Sequence, residues 1–154
     1  MVDRRRALLS LIGLAASSCD EPGPPPEGQA SASSSALPEP EPFEFGRDLE
    51  AGVALARREK RRLILFFSAE WNGACKAQQK VFATPEFKKA AAGFVGVLVD
   101  VTDQDEPKAK KAVIDYRPAG VLAVLLFDST GSEVQRVDSF EPLDDWLERL
   151  ARVS

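Results

Sequence analysis

The chain has 154 residues, 44% apolar and 29% charged, with 24 acidic against 20 basic side chains and no histidine. That length suits one domain, and a net charge of −4 argues against a nucleic-acid partner, whose phosphates need clustered Lys and Arg. Without histidine there is no His-based acid–base catalysis, no Ser-His or Cys-His nucleophile pair and no His-containing metal site, and two cysteines cannot build a Cys-only zinc site within one chain, so neither metal nor cofactor is expected.

The averages hide a division along the chain. Arg4-Arg5-Arg6 is a positive n-region, followed by the short apolar run Ala7 to Ala16 and the small residues Ser17-Ser18-Cys19. Such a run is too short to span a hydrocarbon core of roughly 30 Å as a helix, and it has the form of a secretory signal over residues 1–18. Leu14-Ala15-Ala16-Ser17-Ser18-Cys19 resembles a bacterial lipobox, with Ala16 standing where Leu is preferred. That resemblance implies acylation of Cys19 and a membrane anchor. An ordinary signal cut, leaving Cys19 as a free thiol, is the alternative. Arg5-Arg6-Ala7-Leu8-Leu9 also resembles a twin-arginine export signal. Residues 19–42 follow, carrying Pro22-Gly23-Pro24-Pro25-Pro26, Ser31-Ala32-Ser33-Ser34-Ser35 and Pro38-Glu39-Pro40-Glu41-Pro42. This composition cannot bury apolar surface and favours polyproline II, so it is expected as a disordered, semi-rigid tether.

Residues 43–154 alternate as a folded domain should. Asp48 is a plausible N-cap for a helix over 48–58. The basic run Arg57-Arg58-Glu59-Lys60-Arg61-Arg62 at its end reads as a solvated turn that complements the helix dipole. Leu63-Ile64-Leu65-Phe66-Phe67 is a strand buried on both faces. After a tight polar turn, a helix is expected from about 74 to 82, and Thr84-Pro85 restarts one. Residues 94–101 form a second buried strand, 107–115 a helix with Lys108, Lys110 and Lys111 outward, and 121–127 a third strand. Ser129-Thr130-Gly131-Ser132 turns the chain into a returning strand over 133–137. A helix over 142–153 closes it, with Leu143, Trp146, Leu147 and Leu150 on one face. Strands alternating with helices and ending in a hairpin predict an α/β fold with a central mixed sheet flanked by helices, βαβ plus ββα.

The turn after the first of those strands, Ala69-Glu70-Trp71-Asn72-Gly73-Ala74-Cys75-Lys76, resembles the thioredoxin superfamily signature Ala-(Asp/Glu)-Trp-Cys-x-x-Cys-Lys. Val81-Phe82-Ala83-Thr84-Pro85-Glu86-Phe87 and Val99-Asp100-Val101-Thr102 are similar to the C-terminal thioredoxin-like domain of the disulfide interchange protein DsbD. Tyr116-Arg117-Pro118-Ala119-Gly120-Val121-Leu122-Ala123 resembles the family's Tyr-x-Val-x-Gly-(Ile/Leu/Val)-Pro-Thr loop. The resemblance implies a thioredoxin-like fold over residues 45–154 and places thiol-disulfide exchange at the turn.

Three positions depart from that chemistry. Asn72 stands where the attacking cysteine belongs; an amide is no redox nucleophile, although Asn is among the best helix caps. Leu122 stands at the family's cis-proline, where a non-proline cis bond would cost roughly 2.5–4 kcal/mol, so a trans, reshaped loop is expected. Phe66 stands at the buried carboxylate that assists the resolving thiol.

Cys75 keeps the resolving position. It reads either as a monothiol forming mixed disulfides, with Lys76 and the helix N-terminus favouring its thiolate, or as a small shielded residue inside the first turn. Trp71 reads either as part of a retained binding surface or as packing over the turn with its indole N–H bonded nearby. Asp103, Asp105 and Glu106 read as a solvated loop. The expectation is an exported, envelope-tethered module that binds a protein or peptide through the surface around Trp71, Asn72 and Leu122. An oxidoreductase acting through Cys75 is the alternative.

Overall fold

Phe45–Gly46 (β1) pair in parallel with Gly96 and Val97, a two-residue strand too short for any periodicity to announce. The computed structural model describes residues 43–153; the expected signal, Cys19 and the whole of the expected tether lie outside the described residues. Leu49–Glu59 form α1, whose N-cap Asp48 accepts a hydrogen bond from Ala51 N as its sequence position predicts. It ends at Lys60, which takes the left-handed conformation and returns its N–H to Ala56 O.

Arg62–Ser68 form the central strand β2, with Ile64, Leu65, Phe66 and Phe67 fully buried. Gly73–Phe82 (α2) and Pro85–Ala90 (α3) follow, capped by Asn72 and Thr84, with Pro85 in the first turn of α3, where its missing N–H is not needed. Phe94–Asp100 (β3) run parallel to β2. Pro107–Tyr116 form α4, and its cap is Glu106, a residue the sequence placed in a solvated loop. Ala123–Phe127 (β4) and Glu133–Val137 (β5) form the expected hairpin, and Leu143–Arg152 form α5. The hairpin turn is held by Asp128, whose Oδ1 accepts from Thr130 N and Ser132 N.

The sheet order is β1-β3-β2-β4-β5, parallel across β1, β3 and β2 and antiparallel through β4 and β5. This is the mixed sheet the element order predicts. Because side chains alternate along a strand, β2 serves two cores. Ile64 and Phe66 join Phe82, Phe87, Trp146 and Leu150 in a cluster that includes residues of α2, α3 and α5. Leu65 and Phe67 join Ala56, Ala109 and Ala112 in a cluster with residues of α1 and α4.

Two expectations need correction. Val121 and Leu122 do not enter β4, which begins at Ala123 paired with Phe67. The basic run does more than face water. Arg61 donates to Phe94 O at 2.9 Å, and Arg62 donates to Val153 O at 2.6 Å while its guanidinium lies 4.2 Å from the Phe94 ring centroid. These two side chains tie the start of β2 to β3 and to the C-terminal end of the chain, contacts from distant sequence that a local pattern does not contain.

Helix α1 approaches β3 closely at Gly52, where an added Cβ would overlap Val97 Cγ2. In an open helix, Gly→Ala gains about 1 kcal/mol of propensity. Val97 is fully buried and β-branched, so it cannot swing away, and overpacking costs about 1–3 kcal/mol. Gly52→Ala is therefore expected to destabilise by about 1 kcal/mol net, read as a lower midpoint in urea with an unchanged slope.

Candidate functional site

The turn between β2 and α2 is built by its own backbone and by one side chain. Asn72 has extended backbone angles (φ −93°, ψ 119°), and its Oδ1 accepts from Cys75 N at 3.0 Å. Its own N–H donates to Ala69 O at 3.1 Å. The residue at the attacking position is thus the N-cap of α2 and satisfies a backbone donor that the helix leaves open.

Cys75 lies directly beneath. It is fully buried, in the same cluster as Phe66 and Leu122, and its Sγ donates to Val121 O at 3.7 Å. The other cysteine, Cys19, lies outside the described residues. As arranged, the turn presents no thiol to a partner: an attack by Cys75 would first require α2 or the 117–122 loop to open. Leu122 is only 6% exposed, so it underlies the turn and does not contribute to the surface as expected. Phe66 is fully buried among rings, with centroids 5.1 Å from Phe82 and 5.9 Å from Phe45. The position expected to match the family's carboxylate lies in an aromatic core.

Trp71 is the opposite case. It is 59% exposed, yet its Nε1 donates to Thr102 O at 3.2 Å. The indole N–H is bonded nearby, and the ring faces solvent. Thr102 is the fastener of this loop, because its Oγ1 also accepts from Glu70 N at 2.9 Å and its own N–H donates to Asp100 Oδ1 at 2.9 Å. In sequence Thr102 stands out only as the end of the DsbD-like segment Val99 to Thr102; its role as fastener does not, since Glu70 and Trp71 lie some thirty positions upstream.

Behind the turn, Ser68 is buried and accepts from Gln79 Nε2 at 3.0 Å. Gln78 is also buried, and its carbonyl accepts from Glu141 N at 2.9 Å, which links α2 to the segment before α5. A polar residue one turn after Cys75 on the buried face was the signal that could have found it. Among the described residues no three Cys, Asp or Glu side chains gather as a metal site.

Hydrogen bonds from Thr102, its side chain foremost and then its N–H, with the Arg47 charge adding a smaller effect, hold the Asp100 carboxyl below its ordinary value. A carboxyl so lowered stabilises the fold above its unfolded pKa of about 3.9, and that contribution is lost as pH falls through the lower folded value. Acrylamide quenching of Trp71 is expected to rise below roughly pH 4 as the Thr102 clasp loosens, and Asp100→Asn is expected to remove that step.

A thioredoxin-like family model matches residues 44–129, and the chain belongs to the thioredoxin-like family. Its fold is that of the DsbD C-terminal domain from Neisseria meningitidis in the oxidised form, at a TM-score of 0.61 and 24% identity, covering 72% of this chain and 100% of that one. A thioredoxin from Thermus thermophilus superposes at a TM-score of 0.59 with 21% identity, covering 72% of this chain and 86% of that one. Among curated relatives, the thiol:disulfide interchange protein DsbD of Colwellia psychrerythraea is 30% identical over 95 residues, which are 60% of this chain and 16% of that protein. The chain thus spans a small part of that relative's length.

Proposed function

We propose that this chain is an exported, membrane-tethered thioredoxin-like protein of the bacterial cell envelope that binds a protein or peptide and does not turn over disulfides. The observation that carries the reading is the capping bond from Cys75 N to Asn72 Oδ1. The residue that would have to attack is an amide doing a structural task, and the remaining thiol is sealed under it. The exposed Trp71 is held in place beside them, a feature that serves binding without serving exchange. The signal-like N-terminus and Cys19 support tethering, and the similarity to a segment of DsbD supports an envelope setting and a protein partner.

Two measurements test the reading. Insulin-disulfide reduction by the purified chain is expected to stay at the uncatalysed rate with any reductant. Mass spectrometry of membrane-extracted protein under thiol trapping is expected to find acyl chains on Cys19 and an unmodified Cys75. Rapid labelling of Cys75 in the folded chain would overturn it in favour of a monothiol oxidoreductase.

A further inference from the structure

The Thr102 wall that holds Trp71 is also one side of a second feature. A cleft of about 520 Å³ opens between the N-terminal ends of α1 and α4, with Leu98, Val99, Ala109 and Ala112 supplying apolar lining and Thr102 at its rim. That volume lies in the range of ligand-sized sites. Two helix N-termini would ordinarily favour an anion. Here each is already met by a carboxylate of the chain: Asp48 accepts from Ala51 N at 2.9 Å and Glu106 from Ala109 N at 2.7 Å. Asp103 and Asp100 are held in the same manner, by Asp105 N at 3.0 Å and Thr102 N at 2.9 Å.

These bonds fix four carboxylates in place before any partner arrives, so their ordering costs a ligand nothing. Glu50 adds a fifth along the lining. Against them stand Arg47, Lys108 and Lys111, the last already paired with Asp115 at 2.6 Å. An exposed indole next to surplus carboxylate is a receptor for cations, which the ring face and the negative charges both attract.

We infer that the partner presents an extended, basic segment, with Trp71 as its anchor and the α1–α4 cleft as the seat of its Lys or Arg side chains. This rests on the reading of the Trp71 face as a protein-binding surface, and it adds the chemistry of what binds there. A small cation alone would use the carboxylates and leave the indole and the apolar lining empty. A peptide with aliphatic stems and charged heads uses all three.

The test is calorimetric titration of the full chain with three short peptides: alternating Lys-Ala, Ser-Ala and Glu-Ala. Saturable binding of the Lys-Ala peptide alone, weakening as salt is added, is the expected result. Trp71→Ala and the double variant Glu50→Gln, Asp103→Asn are each expected to weaken it by roughly tenfold. The glutamine and asparagine keep shape, and Glu50 makes no hydrogen bond among the described residues, so a thermal melt matching that of the unaltered chain checks the fold. Equal binding of Ser-Ala or Glu-Ala, or an unchanged affinity in the charge variants, overturns the inference while leaving a binding face in place. Absence of binding by all three overturns the inference and leaves the protein-binding reading to its own tests.

Discussion

Replacing Phe66 by aspartate, the kind of carboxylate that the family resemblance implies at this position, is expected to unfold the domain at neutral pH. Phe66 is fully buried in β2. Its in-register neighbours are Leu98 of β3 on one side and Val124 of β4 on the other. Emptying an aromatic site of this kind costs about 3–5 kcal/mol, and the carboxylate brings a further cost because its cluster of buried neighbours holds no cation. Together these approach the whole stability of an ordinary domain, about 5–15 kcal/mol. Burial would raise the introduced carboxyl's pKa above its unfolded value, so the folded state binds the extra proton and stability falls as pH rises. Circular dichroism melts are expected to show no cooperative transition at pH 7 and partial recovery below about pH 4. Phe66→Leu, which stays apolar, is expected to fold with a loss below about 3 kcal/mol. A native-like melt for the aspartate variant at neutral pH would mean that the site is wetter than its burial indicates.

The second large effect is a gain. Asn72→Cys places a thiol at the N-terminus of α2, where the partial positive charge of the helix end lowers a thiol's pKa below about 8.5. The position is partly exposed, and Cys75 lies one turn further in to resolve a mixed disulfide. The expected result is rapid alkylation of the introduced thiol in the folded chain, an internal disulfide on mild oxidation, and insulin reduction that rises from the uncatalysed rate to a measurable one. The lost cap is expected to cost about 1 kcal/mol. Failure of the variant to form the internal disulfide would place the block in the surroundings, at Phe66 and the Leu122 loop, and not in Asn72 alone.

Both predictions depend on features that differ in how far they could be read locally. The continuous apolar run Leu63 to Phe67 announces a strand buried on both faces, and the structure places it at the centre of the sheet. Asp48, Asn72 and Thr84 announce helix starts because a cap acts over three residues, a distance visible in sequence. Glu106 performs the same task at α4 but was hidden among other acidic residues, any of which fits a loop. The two-residue β1 exists through its pairing with β3, so no property of Phe45-Gly46 taken alone predicts it.

The site divides in the same way. That Asn72 cannot attack a disulfide, and that it can cap a helix, are properties of its side chain and were legible at once. That Cys75 is sealed depends on α2 and the Val121–Leu122 segment closing over it. Leu122 was expected at the surface because the corresponding family loop faces the active site. It turned inward because an aliphatic side chain beside the buried Cys75 and Phe66 gains more from the core than from water.

The missing thiol, the order of strands and helices and the main helix caps are therefore determined by sequence alone, since each rests on residue chemistry or on interactions between near neighbours. The concealment of Cys75, the Thr102 clasp that holds Trp71 open to solvent, and the acidic cleft beside it were decided only by the tertiary structure. Each needs groups far apart in the chain to meet, and hydrogen bonds and burial act on distance in space, whatever the separation in sequence.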